Sequence, residues 1–154
     1  MISLPHREVT TDLTLDPTTT AMATVYLIAQ PTVSRRDGRV PDISPLSEYG
    51  TVRIVLPVGE HPNFNPERCL RIVRSVLAEF NPELDYLAWA GGDTLAAVMA
   101  GIVLHERGLP DFRWLRYERP LDRGTGRRTD KGAKYLPTRV SLSEDQLELF
   151  NEES

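Results

Sequence analysis

Hydrophobic positions in this chain fall in short runs separated by proline, glycine and charge, and the runs alternate between strand and helix character. The β-branched and apolar stretch 23–30, centred on Thr24-Val-Tyr-Leu-Ile-Ala29, predicts a first strand, and 51–57 predicts a second. Leu70, Val73, Val76, Leu77 and Phe80 recur at helical spacing and predict a helix over 66–80. Asn65 is placed to cap that helix, Pro66 suits its first position, and Glu67 complements its dipole. Arg68, Arg71 and Arg74 recur on another side of it and read as a solvated face. Asn81-Pro82 stops the helix.

The stretch 85–104 carries the centre of the pattern. Tyr86 to Ala90 predicts a short buried strand, and Gly91-Gly92 a turn too tight for residues with a Cβ. Asp93 is placed as an N-cap, and 94–107 predicts a helix apolar on all sides, hence buried. Gly108 is placed to end it. Beyond Pro110, the run 112–119 predicts a strand whose imperfect alternation suggests a bulge or an edge. A glycine-rich basic loop, expected to be flexible, fills 120–133. A last strand, 135–142, takes an edge because Pro137 interrupts it.

The order β, β, α, β, α, β, β predicts an α/β fold. It would be a small single-domain mixed sheet with two main helices packed on it and a C-terminal basic β-hairpin. The domain is expected over 22–142. Residues 1–21, polar and without periodicity, predict a disordered leader. Residues 34–50, with Pro41 and Pro45, predict a long irregular loop. Residues 143–154 form an acidic tail that opens on the capping-box spacing Ser143-x-x-Gln146, with Leu147, Leu149 and Phe150 placed to dock back as a helical turn.

Composition is that of an ordinary soluble chain, large enough at 154 residues for a real core. No run is long and apolar enough to span a membrane, so no membrane partner is expected. The lone Cys69 excludes an intramolecular disulfide and a cysteine zinc cluster, and a cytosolic location is expected. Cys69 lies in the first turn of its helix beside Arg68; both features lower a thiol pKa, although a lone helical cysteine is ordinarily a core residue. His6, His61 and His105 lack metal-site spacing, and His105 suits the last turn of a helix. No nucleophile elbow or Walker lysine motif is present, so no catalytic residue, metal or cofactor is assigned.

Charge changes the picture. The net charge is −4, yet 112–140 holds seven Arg and two Lys against three acidic residues, a local +6 that leaves −10 elsewhere. Arg113, Arg116, Arg119, Arg123, Arg127, Arg128, Lys131, Lys134 and Arg139 interleave with Trp114, Tyr117 and Tyr135. Cations among aromatics on a hairpin suit a nucleic acid, by phosphate contact and stacking, or an acidic host-protein surface.

A competing site is the strand–turn–helix junction. A glycine turn at a helix N-terminus is a natural anion site. Gly91, Gly92, Asp93 and Thr94 resemble the Gly-Gly-Asp-Gly-Thr loop of the diacylglycerol, NAD and phosphofructokinase-type kinases, with the second-to-last glycine missing. That resemblance implies a nucleotide- or phosphate-binding protein, or a small enzyme, using these four residues. Over about 23–142 the chain also resembles small uncharacterised proteins of tailed bacteriophages. The resemblance is carried by Asp85-Tyr-Leu-Ala-Trp-Ala-Gly-Gly-Asp93, Trp114-Leu-Arg-Tyr-Glu-Arg119 and the Asn65-Pro66 helix start. It implies a phage accessory role in the cytoplasm of an infected bacterium; with the basic hairpin as its working surface, a non-enzymatic binding protein is expected.

Overall fold

The computed structural model describes residues 22–33, 38–91, 93–129, 132 and 134–141. The expected leader, acidic tail and Arg35-Arg36 turn lie outside them. The elements in chain order are strands β1 (Thr24–Ala29) and β2 (Thr51–Leu56), helix α1 (Pro66–Leu77), β3 (Tyr86–Ala88), helix α2 (Thr94–Glu106), β4 (Asp111–Glu118) and β5 (Lys134–Ser141). One sheet runs β2-β1-β3-β4-β5; the first four strands are mutually parallel and β5 is antiparallel to β4. The mixed sheet, its two helices and the C-terminal hairpin are as the pattern predicts. Pro137 does sit on the edge strand.

Strand order reverses beside β1. The chain moves outward from β1 to β2, then back across β1 to β3 and on to β4. Right-handed crossovers therefore place α1 and α2 on one face and the β1–β2 connection on the other. The core divides accordingly. Tyr26, Ile28, Val55, Leu87 and Phe112 pack with Cys69, Val73 and Leu77 of α1 and Ala96, Ala100 and Leu104 of α2. Across the sheet, Val25, Leu27, Ala88, Leu115 and Tyr135 pack with Leu46. Leu46 belongs to a 3-10 helix, Ser44–Glu48, inside the segment expected to be irregular. Pro45 does not deny structure there, because the first turn of a helix needs no N–H from it. Asp42 starts that turn by accepting from the Ser44 N–H at 2.9 Å; hydrogen bonding from the Ser44 side chain, and then from this N–H, lowers its carboxyl pKa.

Sheet burial on both faces explains β4. Phe112 and Trp114 face the helices while Leu115 and Tyr117 face the other cluster, so strict alternation is not needed. Its register with β5 is continuous over eight pairs, and β4 lies between β3 and β5, so the expected bulge or edge is corrected.

Capping follows the sequence closely. Asn65 accepts from the Arg68 N–H at 3.2 Å, and Asp93 accepts from the Leu95 N–H at 2.9 Å. Helix α1 ends three residues short of the predicted Phe80. Beyond Leu77, the Glu79 and Phe80 N–H groups bond three residues back, and Arg107 at the end of α2 donates to the Leu77 and Phe80 carbonyls at 2.8 and 2.7 Å. β3 is two residues shorter than predicted, as the backbone leaves the ladder for a turn in which Gly91 has φ +100. Helix α2 departs from the all-round burial expected of it. Val98 is 50 % and Ile102 45 % exposed, because α1 and the sheet cover only part of its circumference.

A buried carboxylate ties the elements together. Asp85 accepts from the Thr24 N–H at 2.9 Å through one oxygen and from the Asn81 N–H at 2.8 Å through the other. It joins the start of β1 to the link between α1 and β3, and hydrogen bonds of this charged kind contribute about 1.5–3 kcal/mol each.

Candidate functional site: the basic hairpin and the Gly91 turn

The hairpin begins as the β4–β5 ladder and continues past it. The Thr129 N–H donates to the Pro120 carbonyl at 3.0 Å, and the Asp122 N–H to that of Arg127 at 2.8 Å. At the tip the Gly126 N–H returns to the Asp122 carbonyl, and the Asp122 side chain accepts from the Gly124 N–H, both at 2.8 Å. Leu121 and Arg128 form an isolated antiparallel bridge. This is a compact turn with Gly126 at φ +67, of the kind that closes hairpins with four-residue loops. Residues 120–129 of the expected loop therefore form a hydrogen-bonded turn. Lys131 lies outside the described residues.

The predicted cations divide by what they touch. The Arg113 guanidinium carbon lies over the Tyr86 ring, 4.1 Å from its centroid, and Arg113 donates to the Tyr86 hydroxyl and the Glu83 carbonyl. Arg139 pairs with Asp111 at 2.9 Å and Arg116 with Glu118 at 3.1 Å. Cross-strand register puts Arg113 and Arg139 on one sheet face and Arg116 and Lys134 on the other. Arg128 donates one Nη1 bond to the Arg119 carbonyl at 2.8 Å. Arg123 and Arg127 stand exposed at the tip, and Lys134 is exposed at the start of β5, opposite Glu118. Among the described residues, no carboxylate pairs with those three.

Arginines elsewhere contrast with the tip. Arg53 pairs with Glu79, Arg74 with Glu106, and Arg68 with Glu60 through a fork with contacts of 2.9–3.0 Å. Of the predicted arginine stripe, Arg71 alone has no such partner among the described residues. Cys69 is fully buried in the core. Burial pushes that thiol up, the Glu60 charge adds to the rise, and Arg68 opposes it only weakly. Cys69 is a core residue and not an activated thiol.

The Gly91 turn sits at the carboxyl end of β3, beside β1, where strand order reverses. Open α/β sheets bind ligands at that position. Its own residues already answer the α2 N-terminus. One Asp93 oxygen accepts from the Leu95 N–H and the other from the Asn63 side-chain amide at 2.6 Å. A carboxylate in this place opposes a bound anion unless a cation intervenes. Thr94 is exposed, and Gly92 lies outside the described residues.

With this geometry in place, comparison with known proteins adds one finding. The family model described as Phage Pam3 gp32-like protein matches residues 23–123, about two thirds of the chain. The chain belongs to the phage Pam3 gp32-like protein family. The matched span of the family runs from the start of β1 to the tip of the hairpin and includes the Gly91 turn and all of β4. No curated protein and no solved structure matches the chain. Phage membership accords with the resemblance in the sequence. Among the described residues, no helix is long and apolar enough to cross a membrane, and no group of three or more His, Cys, Asp or Glu could hold a metal ion.

Sequence reasoning missed three polar residues that organise these sites. Asn63 fixes the Asp93 carboxylate, Arg107 closes the end of α1, and Asp85 joins β1 to the β3 approach. Each acts on an element distant in sequence. Only Asp85 carried a signal, as a carboxylate at the mouth of an apolar strand.

Proposed function

We propose that this phage-family protein is a non-enzymatic accessory binding protein that engages nucleic acid through the tip of the β4–β5 hairpin. The observation that carries the reading is the contrast in pairing. Arg53, Arg68 and Arg74 are matched by carboxylates, whereas Arg123 and Arg127 at a projecting turn have none among the described residues. A hydrogen-bonded turn presents these charges with less ordering cost than a loose loop. Phosphates are the chemistry that such exposed, clustered guanidinium groups fit best.

The test is binding to a short DNA or RNA strand across a range of salt. Affinity is expected to fall steeply with salt as counterions are released. Arg123→Ala with Arg127→Ala is expected to weaken all sequences about equally and flatten the slope by roughly one to two units, with the melting temperature unchanged. If the double variant binds at low salt as tightly as the parent, the reading is wrong. Capture of an acidic host protein that survives nuclease treatment at fixed stoichiometry would replace nucleic acid as the partner. A second reading, a nucleotide or phosphate at Gly91–Thr94, is supported by the position of that turn where the strand order reverses.

A further inference from the structure

At the base of the hairpin tip, Arg116, Tyr117, Glu118, Arg119 and Arg128 line an open concavity of about 380 Å³. Arg116 and Glu118 in its wall pair at 3.1 Å and offset each other, so Arg128 is the cation on which the site turns. Arg128 is oriented by its Nη1 bond to the Arg119 carbonyl, which leaves the Nε–Nη2 edge of its guanidinium for another acceptor. The backbone beneath is held by the Leu121–Arg128 bridge and the Thr129–Pro120 hydrogen bond, so Arg128 projects from a fixed strand position.

We infer that this concavity is a phosphate-binding subsite, with the Arg128 fork as its principal donor and the Arg116 guanidinium, shared with Glu118, as part of its wall. A planar fork with one edge fixed presents two parallel N–H donors to a tetrahedral oxyanion, a geometry that a lysine cannot reproduce. The assignment of that phosphate to a nucleic-acid backbone rests on the hairpin reading above. The subsite deepens that reading by separating two tasks. Arg123 and Arg127 at the tip attract any polyanion, while the concavity seats one phosphate and so sets the register of the strand.

The experiment follows the side-chain Nε–Hε signals of the arginines by NMR while inorganic phosphate is titrated into the full chain. A saturable shift of Arg128 and Arg116, with Arg123 and Arg127 moving little, is expected. Shifts that grow linearly, or equally at the tip, overturn the subsite. A second arm measures a short single-stranded oligonucleotide against Arg128→Gln and Arg128→Lys. Arg128→Gln is expected to lose affinity by roughly tenfold, and Arg128→Lys to recover only part of it, with both variants melting like the parent. An Arg128→Lys variant that binds as the parent does would reduce Arg128 to a point charge and overturn the fork. Loss of the phosphate shift together with intact oligonucleotide binding defeats the subsite and leaves the hairpin reading standing. A saturable phosphate shift in a protein that binds no oligonucleotide supports the subsite as a receptor for free phosphate or phosphomonoesters, and defeats the hairpin reading.

Discussion

A residue's own character and the role its neighbours give it diverge most at Tyr135. Its aromatic neighbours and basic setting in the sequence suggest an exposed stacking platform. In the fold it is buried, packed on Tyr117 with ring centroids 5.0 Å apart, and its backbone carbonyl accepts from the Tyr49 hydroxyl at 2.7 Å. Burial, reinforced by negative charge available at Tyr117 and Asp42, pushes its phenol up to about 12 from an ordinary 10.0. The unfolded chain therefore loses this proton at lower pH than the folded chain. The resulting contribution to stability is present in full below pH 10.0 and is lost as pH rises through about 12. Urea unfolding across that window should show stability falling in the parent, with a visibly shallower fall in Tyr135→Phe. Equal slopes in the two proteins would show that the phenol titrates as freely folded as unfolded. Trp114 was equally ambiguous in the sequence and also proves to be a packing residue, set against Phe112.

At the scale of elements, what depended on neighbours in sequence was legible. Asn65, Asp93 and Gly108 mark helix ends with local chemistry, and each stands where that chemistry predicts. What depended on distant partners was not. The end of α1 is set by Arg107, thirty residues on from Leu77. The tip turn is held by backbone hydrogen bonds that glycine-rich composition conceals, and β4 is buried on both faces by elements that its own pattern cannot reveal. The glycines make the same distinction testable. At Gly91 an added Cβ meets nothing within 4 Å, so Gly91→Ala carries only the penalty of φ +100, about 1–2 kcal/mol. At Gly50, with φ +155, an added Cβ would stand 2.0 Å from the Ala23 carbonyl oxygen, where β1 and β2 begin side by side. Displacing that backbone adds ~1–3 kcal/mol to the dihedral cost. Chemical denaturation should therefore rank Gly50→Ala clearly below Gly91→Ala. The reverse order would mean that the start of β1 yields freely.

Over the whole molecule, two arguments about function point to different strands of one sheet, both at the carboxyl end of its parallel strands. Topology favours the carboxyl ends of β1 and β3, where crossovers diverge and leave a crevice in open α/β sheets. Charge favours the hairpin at the β4–β5 side. The sequence made the charge visible directly, but it could not place the reversal of strand order, which requires knowing that β1 separates β2 from β3. At the crevice the decisive group is Asp93, whose carboxylate is held by Leu95 and Asn63. A nucleotide bound there must either displace this carboxylate or approach it with a cation between them. Linkage then predicts the outcome. If the turn binds, ATP, NAD or a related ligand with magnesium raises the melting temperature of the parent with the logarithm of ligand concentration above its Kd. Asp93→Ala should lower the baseline through the lost cap, by about 1 kcal/mol, whatever the ligand does. The informative quantity is the ligand-induced shift measured from each protein's own baseline. A shift present in the parent and absent in Asp93→Ala would place a metal-bridged nucleotide at the turn. A shift that grows in Asp93→Ala would mean that the carboxylate excludes a directly bound phosphate. No shift in either protein across the panel would leave Gly91 and Asp93 as a structural turn, with the hairpin as the surface to pursue.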